Sequence, residues 1–316
     1  MRIVDDLDDL REAAGAGPGS VLTIGVYDGV HLGHRAVLRL VRDLADARGM
    51  EAVCVTFDRH PAEVVRPDSA PPLLTDVEQK LELLEASGYL DTCFVLHFDE
   101  ARSRESAEDF VREVLVDGAG ARLVVVGFDF HFGRGRGGNV PMLERVGAEH
   151  GFEVLGVGLE AGSDGEIYSS TGIRQRLAAG DVTGAEAQLG RRYELRGPVI
   201  DGDHRGRELG FPTANVAVDT RMCLPADGIY AGTFVADDGV ERPTAISLGR
   251  RPTFYENADM SLLEAYVLDW SGDLYGQKAK VRFAARLRGE ERFDTVDELI
   301  NQMNKDVEAA RRALEK

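Results

Sequence analysis

Residues 21–34 read VLTIGVYDGVHLGH, an apolar strand that breaks into a glycine-rich turn carrying two histidines. The order of these parts decides the fold of the first half of the chain. The strand ends at Thr23, Ile24, Gly25 and Val26, and Gly25, Gly29 and Gly33 leave room for a ligand to approach the backbone because glycine has no Cβ. The following residues place Val37, Leu40, Val41 and Leu44 at the i, i+3, i+4, i+7 spacing of an amphipathic helix. His31 and His34 therefore stand at a helix N-terminus, where free N–H groups and the helix dipole favour anions.

Three residues apart on a helix, the two histidines share a face. Two imidazoles so placed can bind a metal, donate to phosphate oxygens or simply fill space. Zinc needs a third and fourth protein ligand, and Cys54, Cys93 and Cys223 are far apart with no CxxC spacing. A strand followed by this glycine and histidine frame points instead to phosphate.

With 316 residues, two domains are expected. The chain is 43% hydrophobic and 29% charged, the balance of a globular protein. No apolar run is long enough to span a bilayer, the N-terminus is acidic rather than signal-like, and the few scattered cysteines suit a reducing compartment. A cytoplasmic location is expected, without a membrane partner. The net charge of −18 argues against non-specific nucleic-acid binding, which needs many phosphate-neutralising cations.

Two rhythms divide the chain. Apolar runs at 21–26, 52–57, 92–98, 123–128 and 152–159 alternate with helical patterns. Thr75 with Glu78, and Ser106 with Asp109, read as capping boxes for two of those helices, which end near Gly88 and Gly118. The alternation predicts a Rossmann-like α/β domain with a doubly wound parallel sheet, whose ligand sites lie beyond the carboxyl ends of the strands. From Tyr193 onward six strand-like runs follow with almost no helix between them, predicting a small antiparallel β-barrel. A closing helix is capped by Thr295 and Glu298, with Val296, Leu299, Ile300, Met303, Val307 and Leu314 as its apolar stripe. The boundary is expected near residues 184–190, giving domains 1–186 and 187–316.

Other tracts carry chemistry. Ser169, Ser170 and Thr171 open a short helical pattern with Arg174 on its first turn, a hydroxyl and guanidinium set suited to polyphosphate, although one hydroxyl is explained as a cap. In GFDFHFG (127–133), Phe128, Phe130 and Phe132 read as core, and Asp129 as a buried anchor or a ligand contact. No P-loop pattern occurs. In GDHRGRELGFPTAN (202–215), Thr213 and Asn215 are two apart on one side of a strand and offer neutral oxygens of the kind Mg²⁺ accepts, or else form a solvent-facing pair. Glu264, in the apolar strand LLEAYVL, belongs either on an open face or in a barrel mouth, where it can act as a general base.

In order, GVYDGVHLGH, TFDRHP, GFDFHFG and SSTGIR, then GRELGFPTAN, LPADGIYAG, RRPTF, LEAYVLD, DLYG and RFD, resemble the bacterial bifunctional riboflavin kinase/FAD synthetase family across nearly the whole chain. The resemblance implies ATP-dependent, Mg²⁺-assisted phosphorylation of riboflavin to FMN in the second module. It implies adenylylation of FMN to FAD, with release of pyrophosphate, in the first. By match to the family, Glu264 is the kinase base and Thr213 and Asn215 bind Mg²⁺ and ATP phosphates, under a loop containing Gly202, Gly206, Arg207 and Gly210. In the first module His31 and His34 stabilise the transferring phosphate, and Ser170, Thr171 and Arg174 hold the leaving pyrophosphate. Gly25, Tyr27, Asp28, Gly29 and Gly33 belong to the nucleotide site, and His60, Pro61 and Asp129 to the flavin pocket. Riboflavin, FMN and ATP are the implied small-molecule partners, with self-association left open.

Four positions depart from the family pattern: Arg59 for proline, Tyr27 for phenylalanine, Arg192 for proline and Ser247 for asparagine. Arg59 lies near the expected flavin or nucleotide pocket. A chain with one live module, or a flavin-responsive regulator without catalysis, remains as an alternative, although a pure binder has little need for His31, His34, Thr213, Asn215 and Glu264 together.

Overall fold

The computed structural model describes residues 1–15, 17–158, 162, 165–202, 210–249 and 260–315, with the backbone alone at 15 and 260–262. Gly206 and Arg207 lie outside the described residues. By its internal contacts the chain forms two units, Met1–Ser170 and Thr171–Lys316. Among the described residues no helix is long and apolar enough to cross a membrane.

The first unit is built on six parallel strands, β1 (Arg2–Val4), β2 (Ser20–Ile24), β3 (Glu51–Phe57), β4 (Thr92–Leu96), β5 (Ala121–Gly127) and β8 (Glu153–Val157). Their order is β1-β4-β3-β2-β5-β8. From β2 the chain winds one way through β3 and β4 and later the other way through β5 and β8. The switch point of the sheet thus falls at the carboxyl end of β2, where such folds bind ligands. A short hairpin, β6 (His131–Phe132) with β7 (Gly138–Asn139), follows β5. Strand β1 was not legible because three residues are too few for a pattern.

The helices of this unit are α1 (Leu7–Gly15), α2 (Leu32–Arg48), α3 (Pro61–Val65), α4 (Val77–Ala86), α5 (Glu100–Ser103), α6 (Ala107–Phe110), which continues into a π-helical stretch Val111–Gly118, and α7 (Val140–His150). Buried Val, Leu and Phe from both sheet faces form its core, including Leu22, Val53, Phe94 and Val124 on one side and Val21, Val41 and Val125 on another.

Two expectations need correction here. The cap of α4 is Asp76, whose side chain accepts from the Gln79 N–H, rather than Thr75. The Thr75 hydroxyl is engaged with the glycine-rich turn instead, as described below. Phe128 is 70% exposed rather than core. It lies against Gly156 on β8, where a side chain would collide with its ring, while Phe130 and Phe132 stack on one another and join the core.

The second unit begins with α8 (Ser170–Ala178, whose first residue belongs to the first unit) and α9 (Val182–Leu189). Six antiparallel strands then close into a barrel in the order β10-β13-β12-β11-β14-β9. They are β9 (Tyr193–Ile200), β10 (Ala214–Asp219), β11 (Gly228–Val235), β12 (Glu241–Gly249), β13 (Met260–Val267) and β14 (Lys278–Arg288). Closure leaves no open sheet edge. The final helix α10 (Val296–Leu314) has the expected Thr295–Glu298 capping box. Its Val307, Ala310, Ala313 and Leu314 cover Ala231, Ala245, Tyr266 and Leu268, small residues letting the helix sit close. Val296, read as part of this stripe, is exposed because it is the first residue of the helix. Asp306 on the same helix is buried and paired twice with Arg288, at 2.9 and 2.6 Å.

Candidate functional site

In the first unit the turn after β2 carries the histidines. His31 is the N-cap of α2 and is 5% exposed. Its Nδ1 accepts the His34 backbone N–H at 3.3 Å, so the neutral ring carries its proton on Nε2 and presents a donor there. The His31 and His34 rings stack with centroids 3.6 Å apart, and Tyr27 lies 5.0 Å from His34. Two imidazoles and the first turn of a 17-residue helix thus converge at the switch point. Such a place can hold a phosphate by N–H donation and by the helix dipole.

The surrounding residues fix this turn. Gly29 has φ +84°, which favours glycine, and its N–H donates to Thr75 Oγ1 at 3.1 Å. Asp28 is buried and its carboxylate accepts the N–H groups of Leu74 (2.9 Å) and Thr75 (3.1 Å). The Ser170 hydroxyl, at the end of the first unit, donates to the Asp28 carbonyl at 2.9 Å. Gly25 faces the Tyr27 ring, and Gly33 faces the His31 ring and Tyr168, with a Cβ at either meeting atoms at 2.9 to 3.3 Å. These two glycines therefore have a reason within the chain itself. The Tyr27 hydroxyl, which the family pattern lacks, lies 2.8 Å from Thr23 Oγ1, and burial pushes its phenol well up, keeping it neutral.

His60 caps α3: its Nδ1 accepts the Ala62 N–H at 3.1 Å and its own N–H donates to Glu63 Oε2 at 2.8 Å, with Pro61 as the first helical residue. Arg59 is part of a small charged cluster. Burial alone would raise the neighbouring Asp58 carboxyl, but the Phe98 N–H, His97 and Arg59 together hold it below its usual value. Asp129 is exposed, in the turn closed by the Phe130 N–H on the Gly127 carbonyl, so the buried-anchor reading falls away. Thr171 is exposed and Arg174 half-buried on α8.

In the second unit Thr213 is the residue before β10 rather than within it, and Asn215 is the second residue of that strand. Asn215 stands opposite Glu264 in the β10–β13 ladder, and Ser247 stands opposite Glu264 in the β12–β13 ladder. Residues directly opposite in antiparallel strands share a face, with Cβ atoms about 5 Å apart. Glu264 alternates with Leu263 and Ala265, both fully buried, and shares its side with Tyr266, which meets the C-terminal helix. Glu264 therefore lies on the side of the barrel wall that it shares with Asn215, itself buried. Phe211, from the loop before β10, packs edge-on against Tyr266 at 5.3 Å.

Asn215 is only 8% exposed. Its amide lies so close to Gly202 that any side chain at 202 would overlap it. Gly210, at φ +86°, turns the chain toward β10. Sequence reading noted Ser247 only as a departure, since its place beside Glu264 depends on strand register.

Comparison with known proteins agrees with both halves. A family model described as FAD synthetase matches residues 15–171, and one described as riboflavin kinase matches 189–314. A relative from Escherichia coli (strain K12), named bifunctional riboflavin kinase/FMN adenylyltransferase, is 34% identical over 312 residues, 98% of this chain and 97% of its own. A relative of the same name from Pseudomonas fluorescens is 38% identical over 316 residues, with the same 98% and 97% coverage. A crystal structure described as a macrolide-efflux protein from Streptococcus pneumoniae has a TM-score of 0.83 to this chain at 26% identity, covering 98% of each.

Proposed function

The chain belongs to the bifunctional riboflavin kinase/FMN adenylyltransferase family, and we propose that its two reactions use the two sites just described. It phosphorylates riboflavin with ATP to give FMN, then joins FMN to the adenylyl group of a second ATP to give FAD and pyrophosphate. The first belongs to a kinase domain of residues 187–316 and the second to residues 1–186; the family-model ranges 15–171 and 189–314 fall within these bounds and leave 172–188 to neither.

The observation that carries the kinase assignment is the pairing of Asn215 with Glu264. Glu264 is the base that takes the proton of the ribityl hydroxyl as it attacks the γ-phosphate. The Thr213 hydroxyl and the Asn215 amide oxygen are hard, neutral donors that fit Mg²⁺ sharing its shell with ATP phosphates, and Gly202 packing holds the Asn215 amide in place. Mg²⁺ held there would neutralise phosphate charge. Gly206, Arg207 and Gly210 belong to the loop over those phosphates.

Adenylyl transfer needs no enzyme nucleophile, because the FMN phosphate itself attacks the α-phosphate. The protein's part is orientation and charge stabilisation. His31 donates through Nε2–H to the transferring phosphate, with His34 stacked beside it. Ser170, Thr171 and Arg174 take the pyrophosphate, Gly25, Tyr27, Asp28, Gly29 and Gly33 form the turn under the nucleotide, and His60, Pro61 and Asp129 border the flavin. The enzyme works in the cytoplasm on freely diffusing small molecules.

Incubation with riboflavin, ATP and Mg²⁺, followed by separation of the flavins, should give FMN first and FAD later, and neither when EDTA is present. FMN without FAD would overturn the role given to the His31 site.

A further inference from the structure

Lys80, on α4, is a buried cation that neither reaction has used. It is 5% exposed. Its ammonium donates to the carbonyl of Phe57, the last residue of β3, at 2.6 Å, and to that of Val26, just beyond β2, at 3.3 Å. Its third hydrogen has no acceptor among the described residues. Burial pushes its pKa below the ordinary lysine value, with the nearby Cys54 and Asp28 acting in the opposite sense.

The same short segment holds the rest of the histidine turn. Leu74 and Thr75 bind the Asp28 carboxylate, and Thr75 accepts the Gly29 N–H. Residues 26, 28 and 29 are thus all tied to residues 74–80. Among these ties stand Tyr27 at φ +53° and Val30 at φ +38°, left-handed conformations that are unfavourable for side chains of this size. Such conformations persist where the surroundings enforce them, and they gather at functional sites. His31 follows Val30 directly.

Stability alone does not call for an ammonium here. Desolvating a charge is unfavourable, and an apolar side chain of like length fills the same volume at less cost. The Thr56 hydroxyl also donates to the Val26 carbonyl, at 3.3 Å; what the ammonium adds is a directional link between that carbonyl and the Phe57 carbonyl, at the point where β2 and β3 part.

We propose that Lys80 is a positioning residue for adenylyl transfer, holding the Val26 carbonyl so that the left-handed turn presents the His31 and His34 rings to the transferring phosphate. The proposal rests on the reading that those rings meet that phosphate.

The test is K80M beside H31A, each assayed in the full chain for FAD formation from FMN, riboflavin phosphorylation and melting temperature. For K80M, kcat for FAD formation should fall about tenfold to a hundredfold, the effect of a small misplacement at a reacting centre. KM for FMN and ATP should stay within about twofold, since ground-state binding is not what is lost. Phosphorylation and melting temperature should not fall. An unchanged kcat for FAD overturns the proposal, and so does a loss accompanied by equal falls in phosphorylation and melting temperature, which marks a structural role alone. If H31A forms FAD at the full rate, the underlying reading of the histidine site fails instead, and the role of Lys80 goes with it.

Discussion

Asn215 and Glu264 face each other across β10 and β13, with Ser247 on the far side of Glu264. A neutral amide and a carboxylate are thereby set side by side on one face of the barrel wall. In the function proposed above, the carboxylate takes the proton of the attacking alcohol and the amide faces the phosphates.

From this pairing, Glu264→Gln should abolish riboflavin phosphorylation while FAD formation from added FMN continues. The substitution keeps the size of the side chain and removes its ability to accept the proton. Rates measured separately for the two half-reactions check it, and an unchanged kinase rate would remove Glu264 from its role as base.

Gly202 is fixed by Asn215. A methyl group at 202 overlaps the Asn215 amide, so Gly202→Ala should push that side chain off its place. The expected outcome is a fall in riboflavin phosphorylation of about tenfold or more, as misplacement at a phosphate site produces, with FMN adenylylation untouched. Steady-state kinetics on both reactions decide it, and full kinase activity in G202A would mean that the position of Asn215 does not matter to the chemistry.

His31→Ala should cut FAD formation from FMN by about a hundredfold or more, the usual effect of losing one preorganised donor. Riboflavin phosphorylation should persist. An equal fall in both reactions would contradict separate sites.

Asp306→Ala should destabilise the second unit by about 3 kcal/mol, because it leaves the Arg288 guanidinium largely buried without its partner. A guanidinium stays protonated even without its partner, so Arg288 does not escape the penalty by losing its proton. Calorimetry of the whole chain should show this unit melting earlier. A change below about 0.5 kcal/mol, the range of ordinary surface substitutions, would show that the apolar contacts alone dock the helix.

The legible part of the fold was the local part. Period-two and period-3.6 apolar patterns announced the sheet domain, the barrel and the closing helix, and the Thr295–Glu298 cap was read correctly because both partners lie within one turn. The Thr75–Glu78 reading failed for the opposite reason. The hydroxyl of Thr75 goes to Gly29, a partner far away in sequence, and Asp76 caps the helix in its place. Phe128 misled in the same way, since alternation with Phe130 and Phe132 suggested core, whereas the chain turns outward right after β5.

For the sites, the sequence by itself determined which chemical groups are present and in what order: two histidines at a helix start after a strand, and a PTAN tract followed by a glutamate in a strand. Tertiary structure alone decided which of them meet. Register across β10, β13 and β12 put Asn215 and Ser247 on either side of Glu264, and the docking of α4 brought Lys80 to Val26 and Phe57. Neither could be read locally, because strand register and helix docking are set by contacts between segments far apart in the chain, and a local pattern carries no record of its distant partner.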